Sequence, residues 1–230
     1  MIIDCIADLH GHYPVLEGGD LLIVAGDLTA RDTLEEHLEF VKWCGRQHYG
    51  HVIYIAGNHD NLCLKEPVKN KKVEYLFDSG TEFDYEKQVA HPASTSHVSI
   101  DVLMTETKKI KIWGSPWTKT FPGMNPHCMA FTCDTEEQLA EKFAMIPNDI
   151  DILITHSPPY GILDQTSKNR CGSTYLLNKF RGSTNLKLHV FGHIHENGGK
   201  CAQIGMIKYV NASHVNEHYE PVNKPIRVIL

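Results

Sequence analysis

The chain has 230 residues, 42% of them hydrophobic, and a formal charge of −6. This is the composition of one soluble globular domain spanning residues 1–230, large enough to bury about 70% of its unfolded surface. No run of 18 apolar residues offers a membrane span, and the acidic balance argues against an extended nucleic-acid-binding face. Seven cysteines, an odd number without a C-x-x-C pair, exclude a disulfide framework and point to reduced thiols in a cytoplasmic protein.

In chain order, the apolar run 2–7 predicts a buried strand and leads into Asp8-Leu9-His10-Gly11. A motif this close to Met1 leaves no room for a signal peptide. A second run, 21–25, ends in Gly26-Asp27. An amphipathic helix is expected over 32–48, with Leu34, Leu38 and Val41 on its buried face and the glutamates in solvent. A third run, 52–56, ends in Gly57-Asn58-His59-Asp60.

Residues 62–109 carry less pattern. Lys69, Lys71 and Lys72 read as a solvated turn, and strands are expected through 73–77 and around 98–104. The alternation over 110–113 predicts a strand that ends in Gly114-Ser115-Pro116-Trp117. A loop follows over 121–133, with Cys128 and Cys133 read as free thiols. A helix is then predicted over 135–145, capped by Asp134 with Glu137 three residues on.

The run 150–155 leads to His156, behind which Ser157-Pro158-Pro159 stops the strand. A short helix is expected over 173–180. The run 188–191 leads to Gly192-His193-Ile194-His195. Residues 202–210 and 226–230 alternate again and predict strands that complete a second sheet. Asn211-Ala212-Ser213 matches a glycosylation sequon, without meaning in a protein that is not secreted.

Five strand ends therefore deliver Asp8, His10, Asp27, Asn58, His156, His193 and His195 toward one rim. In open α/β sheets ligands collect beyond the carboxyl ends of the strands. Singly, Asn and Asp are turn formers and a lone His is more often an ordinary core or surface residue. Seven together read as a metal site. Of the fifteen histidines, the ten outside these four and His59 receive the ordinary reading, except that His12 follows the first motif and is placed facing the substrate. Trp117, past a strand end, either lines a pocket or packs in the core.

Asp-x-His, Gly-Asp, Gly-Asn-His-Asp, His and Gly-His-x-His, in this order and each behind a strand, resemble the calcineurin-like metallophosphoesterase superfamily. Gly114-Ser115-Pro116-Trp117, Thr155-His156-Ser157-Pro158-Pro159 and the stretch 187–196 look most like its small metallophosphoesterase-domain-containing proteins. The resemblance implies an α/β fold, a four-layer α/β/β/α sandwich of two mixed sheets, with a dinuclear metal site at the carboxyl ends of the strands. It implies two divalent ions, Mn foremost, with Fe, Zn, Co or Ni as alternatives. Asp8, His10, Asp27 and His195 would hold one, and Asp27, Asn58, His156 and His193 the other. A carboxylate has two oxygens able to bridge, so Asp27 suits the shared position.

The expected reaction is direct hydrolysis of a small phosphate ester by a hydroxide shared between the ions, with His59 protonating the leaving oxygen. Protein Ser/Thr phosphatases of the superfamily show Gly-Asp-x-x-Asp-Arg-Gly, whereas Ala30 stands here at the second Asp and Arg31 alone keeps register. That departure favours a phosphodiesterase for small esters such as nucleotides, with Arg31 beside the substrate. The alternatives are a phosphomonoesterase of the same fold and a non-catalytic metal-binding scaffold.

Overall fold

A computed structural model describes residues 1–65, 67–68, 70, 72–95, 98–121 and 125–230, with side chains for all of these outside 87–104. Lys69 and Lys71 of the expected basic turn lie outside the described residues.

Thirteen strands and three α-helices are assigned among the described residues. The first sheet contains β1 (Ile2–Ile6), β2 (Gly19–Ala25), β3 (Tyr49–Ile55), β4 (Val73–Tyr75) and β13 (Ile226–Ile229), in the order β13-β1-β2-β3-β4. Strands β1 to β4 run parallel and β13 antiparallel to β1. The second sheet contains β5 (Ser79–Thr95), β6 (Val98–Ser115), β9 (Ile152–Thr155), β10 (Leu188–Phe191), β11 (Lys200–Ile204) and β12 (Ile207–Asn211). Its order is β11-β12-β10-β9-β6-β5, parallel in the middle and antiparallel at both edges. Strands β7 (Thr118–Lys119) and β8 (Thr132–Cys133) form a separate pair.

Side-chain alternation along these strands builds the layers. Ile3, Cys5, Ile23, Ile53 and Ile55 of the first sheet meet Ile112, Ile152, Ile154, Leu188 and Val190 of the second in one buried cluster. The opposite face of the first sheet, with Leu22, Val24, Val52 and Tyr54, packs on Phe40, Val41 and Cys44 of α1 (Leu34–Arg46). The opposite face of the second, with Leu153, Phe191 and Tyr209, packs on α2 (Glu136–Ala144) and α3 (Thr174–Phe180) through Leu139, Phe143, Leu176 and Phe180. The result is the expected sandwich of helix, sheet, sheet and helices, in which each buried aliphatic side chain contributes about 1.5–3 kcal/mol.

Local expectations differ at several points: β5 and β6 are longer than the strands expected over 98–104 and 110–113, β8 lies in the expected loop, and the stretch 202–210 is divided between β11 and β12. The buried face of α1 is His37, Phe40, Val41 and Cys44, whereas Leu34 and Leu38 are 51% and 39% exposed. A histidine in the buried stripe disguised its phase, and His37 is accommodated because its Nε2 lies 2.7 Å from Asp32 Oδ1. The cap of α2 is Thr135, not Asp134: Thr135 accepts from the Gln138 amide and Gln138 Oε1 from the Thr135 amide, a capping box one residue later. The C-terminal strand joins the first sheet beside β1 rather than the second. All seven cysteines are free, with Cys5, Cys44, Cys128 and Cys133 buried. No helix among the described residues is long and apolar enough to cross a membrane.

On the outer face of β10, His189 is buried against Phe191 and Tyr209, with ring centroids 5.1 and 5.8 Å away. Its Nε2–H donates to Thr155 Oγ1 at 2.8 Å, and that hydroxyl donates to the Ser157 carbonyl. Burial pushes the imidazole down from 6.5 to about 3. Between these values the unfolded chain takes up a proton that the folded chain refuses, so stability falls as the pH drops below the unfolded value. His189→Gln removes this dependence while keeping an N–H for Thr155. Urea titrations at pH 7.5 and pH 5 should show the parent losing about 2 kcal/mol more than the variant, at about 1.4 kcal/mol per pH unit. Equal losses would mean that His189 is not held neutral.

Candidate metal centre

Backbone strain marks the place where the strands end. Asp8, His10, Asp27 and His193 all have positive φ, between 43° and 68°, a region that non-glycine residues seldom enter and that clusters at functional sites. Each lies just beyond the end of β1, β2 or β10. Two glycines are required by this crowding. A Cβ on Gly57 would collide with Asp27 Oδ1, and one on Gly192 with Asp8 Oδ2.

The seven side chains predicted from the motifs converge here, in two halves. Ligand-type atoms of Asp8, His10, Asp27 and His195 all lie within 4.8 Å of one another. His195 Nε2 is 3.3 Å from Asp8 Oδ1, and His10 Nε2 is 3.7 Å from Asp27 Oδ2. In the other half, His156 Nε2 stands 3.4 Å from Asp27 Oδ2 and 3.1 Å from Asn58 Oδ1. The His156 and His193 ring centroids are 5.0 Å apart. Asp27 joins the halves through a single oxygen, Oδ2, because Oδ1 accepts the His59 amide at 2.9 Å.

Backbone carbonyls fix which atoms face inward. His156 Nδ1 donates to the Ala25 carbonyl at 2.9 Å and His195 Nδ1 to the Asn216 carbonyl at 3.2 Å, so both rings present Nε2 to the centre. Asn58 Nδ2 donates to the Cys128 carbonyl at 3.1 Å, turning Oδ1 inward. Asp8 is held by the Ser213 hydroxyl at 2.6 Å and the His193 amide at 3.0 Å.

Two carboxylates buried this deeply need positive charge. Burial alone would raise Asp8, but the hydrogen bond and charge of His195 outweigh it and hold the group at about 2. Asp27 likewise stays well below the carboxylate range against its burial, through His156 and His59. Burial opposes protonation of His156, yet Asp27 carries it up to about 9. His10 and His193 go the other way, down to about 4 and about 3, mainly through burial. Among the described residues, His10 Nε2 and His193 Nε2 are the two buried imidazole nitrogens without a hydrogen-bond partner. Unpaired buried nitrogens are disfavoured unless something accepts their lone pairs. A mixed oxygen–imidazole set around two carboxylates fits divalent first-row metals.

The calcineurin-like phosphoesterase family is matched over residues 1–197. The chain is a calcineurin-like phosphoesterase. It is 36% identical over 233 aligned residues to human metallophosphoesterase domain-containing protein 1, covering 98% of this chain and 70% of that one. Its fold is similar to phosphopantetheinyl hydrolase from Mycobacterium tuberculosis (TM-score 0.53, 16% identity, 94% of this chain and 90% of that one). It is also similar to TT1561 of Thermus thermophilus (TM-score 0.55, 13% identity, 94% and 89%). Calcineurin-like phosphoesterases are metal-dependent hydrolases of phosphate esters.

The centre of this phosphoesterase opens on a cleft of about 610 Å³. His59 lies on its floor, 20% exposed, with Nε2 3.9 Å from Asp27 Oδ2. Asp60 does not orient His59. Its carboxylate accepts the amides of Gly57, Asp27 and Leu28 at 2.7–3.0 Å and pins the two motifs together. His12 is exposed, and Arg31 is exposed with its amide on Glu36. Trp117 donates to Asp78 Oδ2 at 2.7 Å and packs against Phe131 under Lys142. None of these three is among the described residues lining the cleft. Reasoning from sequence missed Asn211, Ser213, Asn216, Tyr219 and Phe121. A signal existed for the first two, since the alternating stretch 202–210 is one more expected strand that ends directly in polar residues.

An unpaired buried nitrogen destabilises by about 1–3 kcal/mol. Metal-free His193→Phe should therefore melt no lower than the metal-free parent. Reloaded with Mn and analysed for bound metal, the parent should hold two ions per chain and the variant one. Two ions in the variant would remove His193 from the ligand set.

Proposed function

We propose that the protein hydrolyses small phosphodiesters, nucleotides among them, in the cytoplasm. The observation that carries this is a buried, anionic, imidazole-lined centre with unpaired nitrogens at the base of an open cleft, with His59 beside it and outside both halves. Asp8, His10, Asp27 and His195 would hold one divalent ion, and Asp27, Asn58, His156 and His193 a second, with Mn the expected metal. When bound, such ions supply Lewis acidity and a nucleophile from water near neutral pH.

The chain's own groups do the rest. Asp27 Oδ2 faces both halves and keeps them in register, while the Ala25 and Asn216 carbonyls hold the proton on Nδ1 of His156 and His195. His59, at the cleft beside Asp27, would pass a proton to the leaving alkoxide. Preference for a diester is supported by the charge of the walls. Glu196 and Glu217 line the cleft, Lys168 is the one cation among its described lining residues, and no arginine fork is among them. A monoanionic diester meets less repulsion there than a dianionic monoester. Free thiols throughout suit a reducing compartment.

Metal-free protein reloaded with Mn should turn over a nitrophenyl phosphodiester faster than the matching monoester, and Asp27→Ala should abolish both activities. Monoester preference would make it a phosphatase. No turnover with any metal despite bound ions would favour a scaffold. His59→Ala should lower kcat by about 10²–10⁴ for an ester of a poor alcohol leaving group, and far less for nitrophenolate, which needs no acid. Equal losses for the two leaving groups would sink the acid role.

A further inference from the structure

We propose that Tyr219 forms the leaving-group subsite and selects phosphate esters whose departing alcohol carries an aromatic or heteroaromatic ring. The inference rests on the phosphoesterase reading of the adjoining centre.

Tyr219 belongs to the connection between β12 and β13, beyond the residues matched by the family. Its φ is +62°, a left-handed backbone that a bulky side chain rarely takes. A turn built around Asn216 imposes it. Asn216 Oδ1 accepts the amides of His218 and Glu220 at 2.9 and 3.0 Å, and its Nδ2 donates to Glu220 Oε2 at 2.7 Å. The Asn216 amide donates to the Glu220 carbonyl, and the Tyr219 amide to the Asn216 carbonyl, each at 2.9 Å. That same Asn216 carbonyl accepts His195 Nδ1–H. One residue thus orients a metal-facing imidazole and places the tyrosine ring relative to it.

The consequence is contact with three imidazoles at once. The Tyr219 ring centroid lies 4.8 Å from His10, 5.3 Å from His195 and 6.2 Å from His59, each nearly edge-to-face. The ring remains half exposed and forms a wall of the cleft. A phosphoryl group at the imidazole-lined floor, with its leaving oxygen at His59, sends its departing alcohol along this wall. Phe121, stacked on His193 at 5.5 Å and 22°, lines the cleft beside the other half. The surface offered to the leaving group is therefore a rigid ring with a polar edge. It favours offset stacking on another flat ring and gains little from a branched alkyl group. The strained backbone shows that the fold holds the ring there against its local preference.

The test compares methyl phenyl phosphate with methyl hexafluoroisopropyl phosphate, whose leaving alcohols have comparable acidity, on Mn-loaded protein. Tyr219→Asn removes the ring and suits a left-handed backbone, and bound metal per chain is measured alongside. The fall in kcat/KM for the phenyl ester should exceed that for the fluoroalkyl ester by about five-fold, mostly in KM. Tyr219→Phe should keep the parent ratio. Equal losses for both esters, or no loss for either, would overturn the subsite, and a Phe variant as impaired as the Asn variant would replace the ring contact by one to the hydroxyl. The same contrast is read without turnover from the affinities for phenylphosphonate and ethylphosphonate. Turnover of neither ester by the parent would defeat the phosphoesterase reading alone, and the phosphonate pair would still decide Tyr219.

Discussion

Two buried carboxylates, Asp8 and Asp27, are the constraint around which the molecule is arranged. An ionised carboxylate is very unfavourable in a protein interior unless charge and hydrogen bonds reach it from several sides. No single strand end can supply them. Asp8 takes the His193 amide and the Ser213 hydroxyl from the second sheet, and Asp27 takes the His59 amide from the first and His156 from the second. The requirement for partners on both sides holds the two sheets in one relative placement. The backbone confirms this linkage where β1 runs out: Ala7 N–H donates to Ala212 and Ala7 O accepts from His214, both beyond the end of β12.

The parallel strands and their five polar termini were legible because two periodicities coincide there. A continuous apolar run means burial on both faces, and a polar cluster directly behind it means a site at the rim. The same logic failed where a polar residue is buried or an apolar one is exposed. In α1 the inward His37 is satisfied by Asp32, five residues away, and no local pattern reveals such a pair. The long ribbon of β5 and β6 was seen only in part. Among the described residues its strand pairs beyond Ile112–Ser115 are those between β5 and β6 themselves, and β5 is an edge strand of the sheet, where a proline such as Pro92 is compatible with a strand.

The site divides the same way. Ligand-type residues announce themselves by type and position, because Asp, Asn and His are among the few side chains that do that chemistry. The groups that hold them are backbone carbonyls at Ala25, Cys128 and Asn216, which any residue supplies and no sequence pattern marks. Asp60 shows the reverse case. It sits inside a conspicuous motif, and its carboxylate is consumed by three amides, so its prominence reflects the turn and not the reaction.

The connection from β12 to β13 unites these threads. It leaves the second sheet at Asn211, passes Ser213 against Asp8 and Asn216 against His195, and returns to the first sheet beside β1. A segment that crosses between the sheets at the rim is well placed to orient residues from both and to roof the centre they form. Its length and turn chemistry are not dictated by the core, since the inward faces of β1, β2, β9 and β10 already fill the space between the sheets. The strand ends therefore fix what can be bound at the floor, while this connection is free to vary in what it presents above it. In this phosphoesterase it presents a tyrosine ring against three imidazoles.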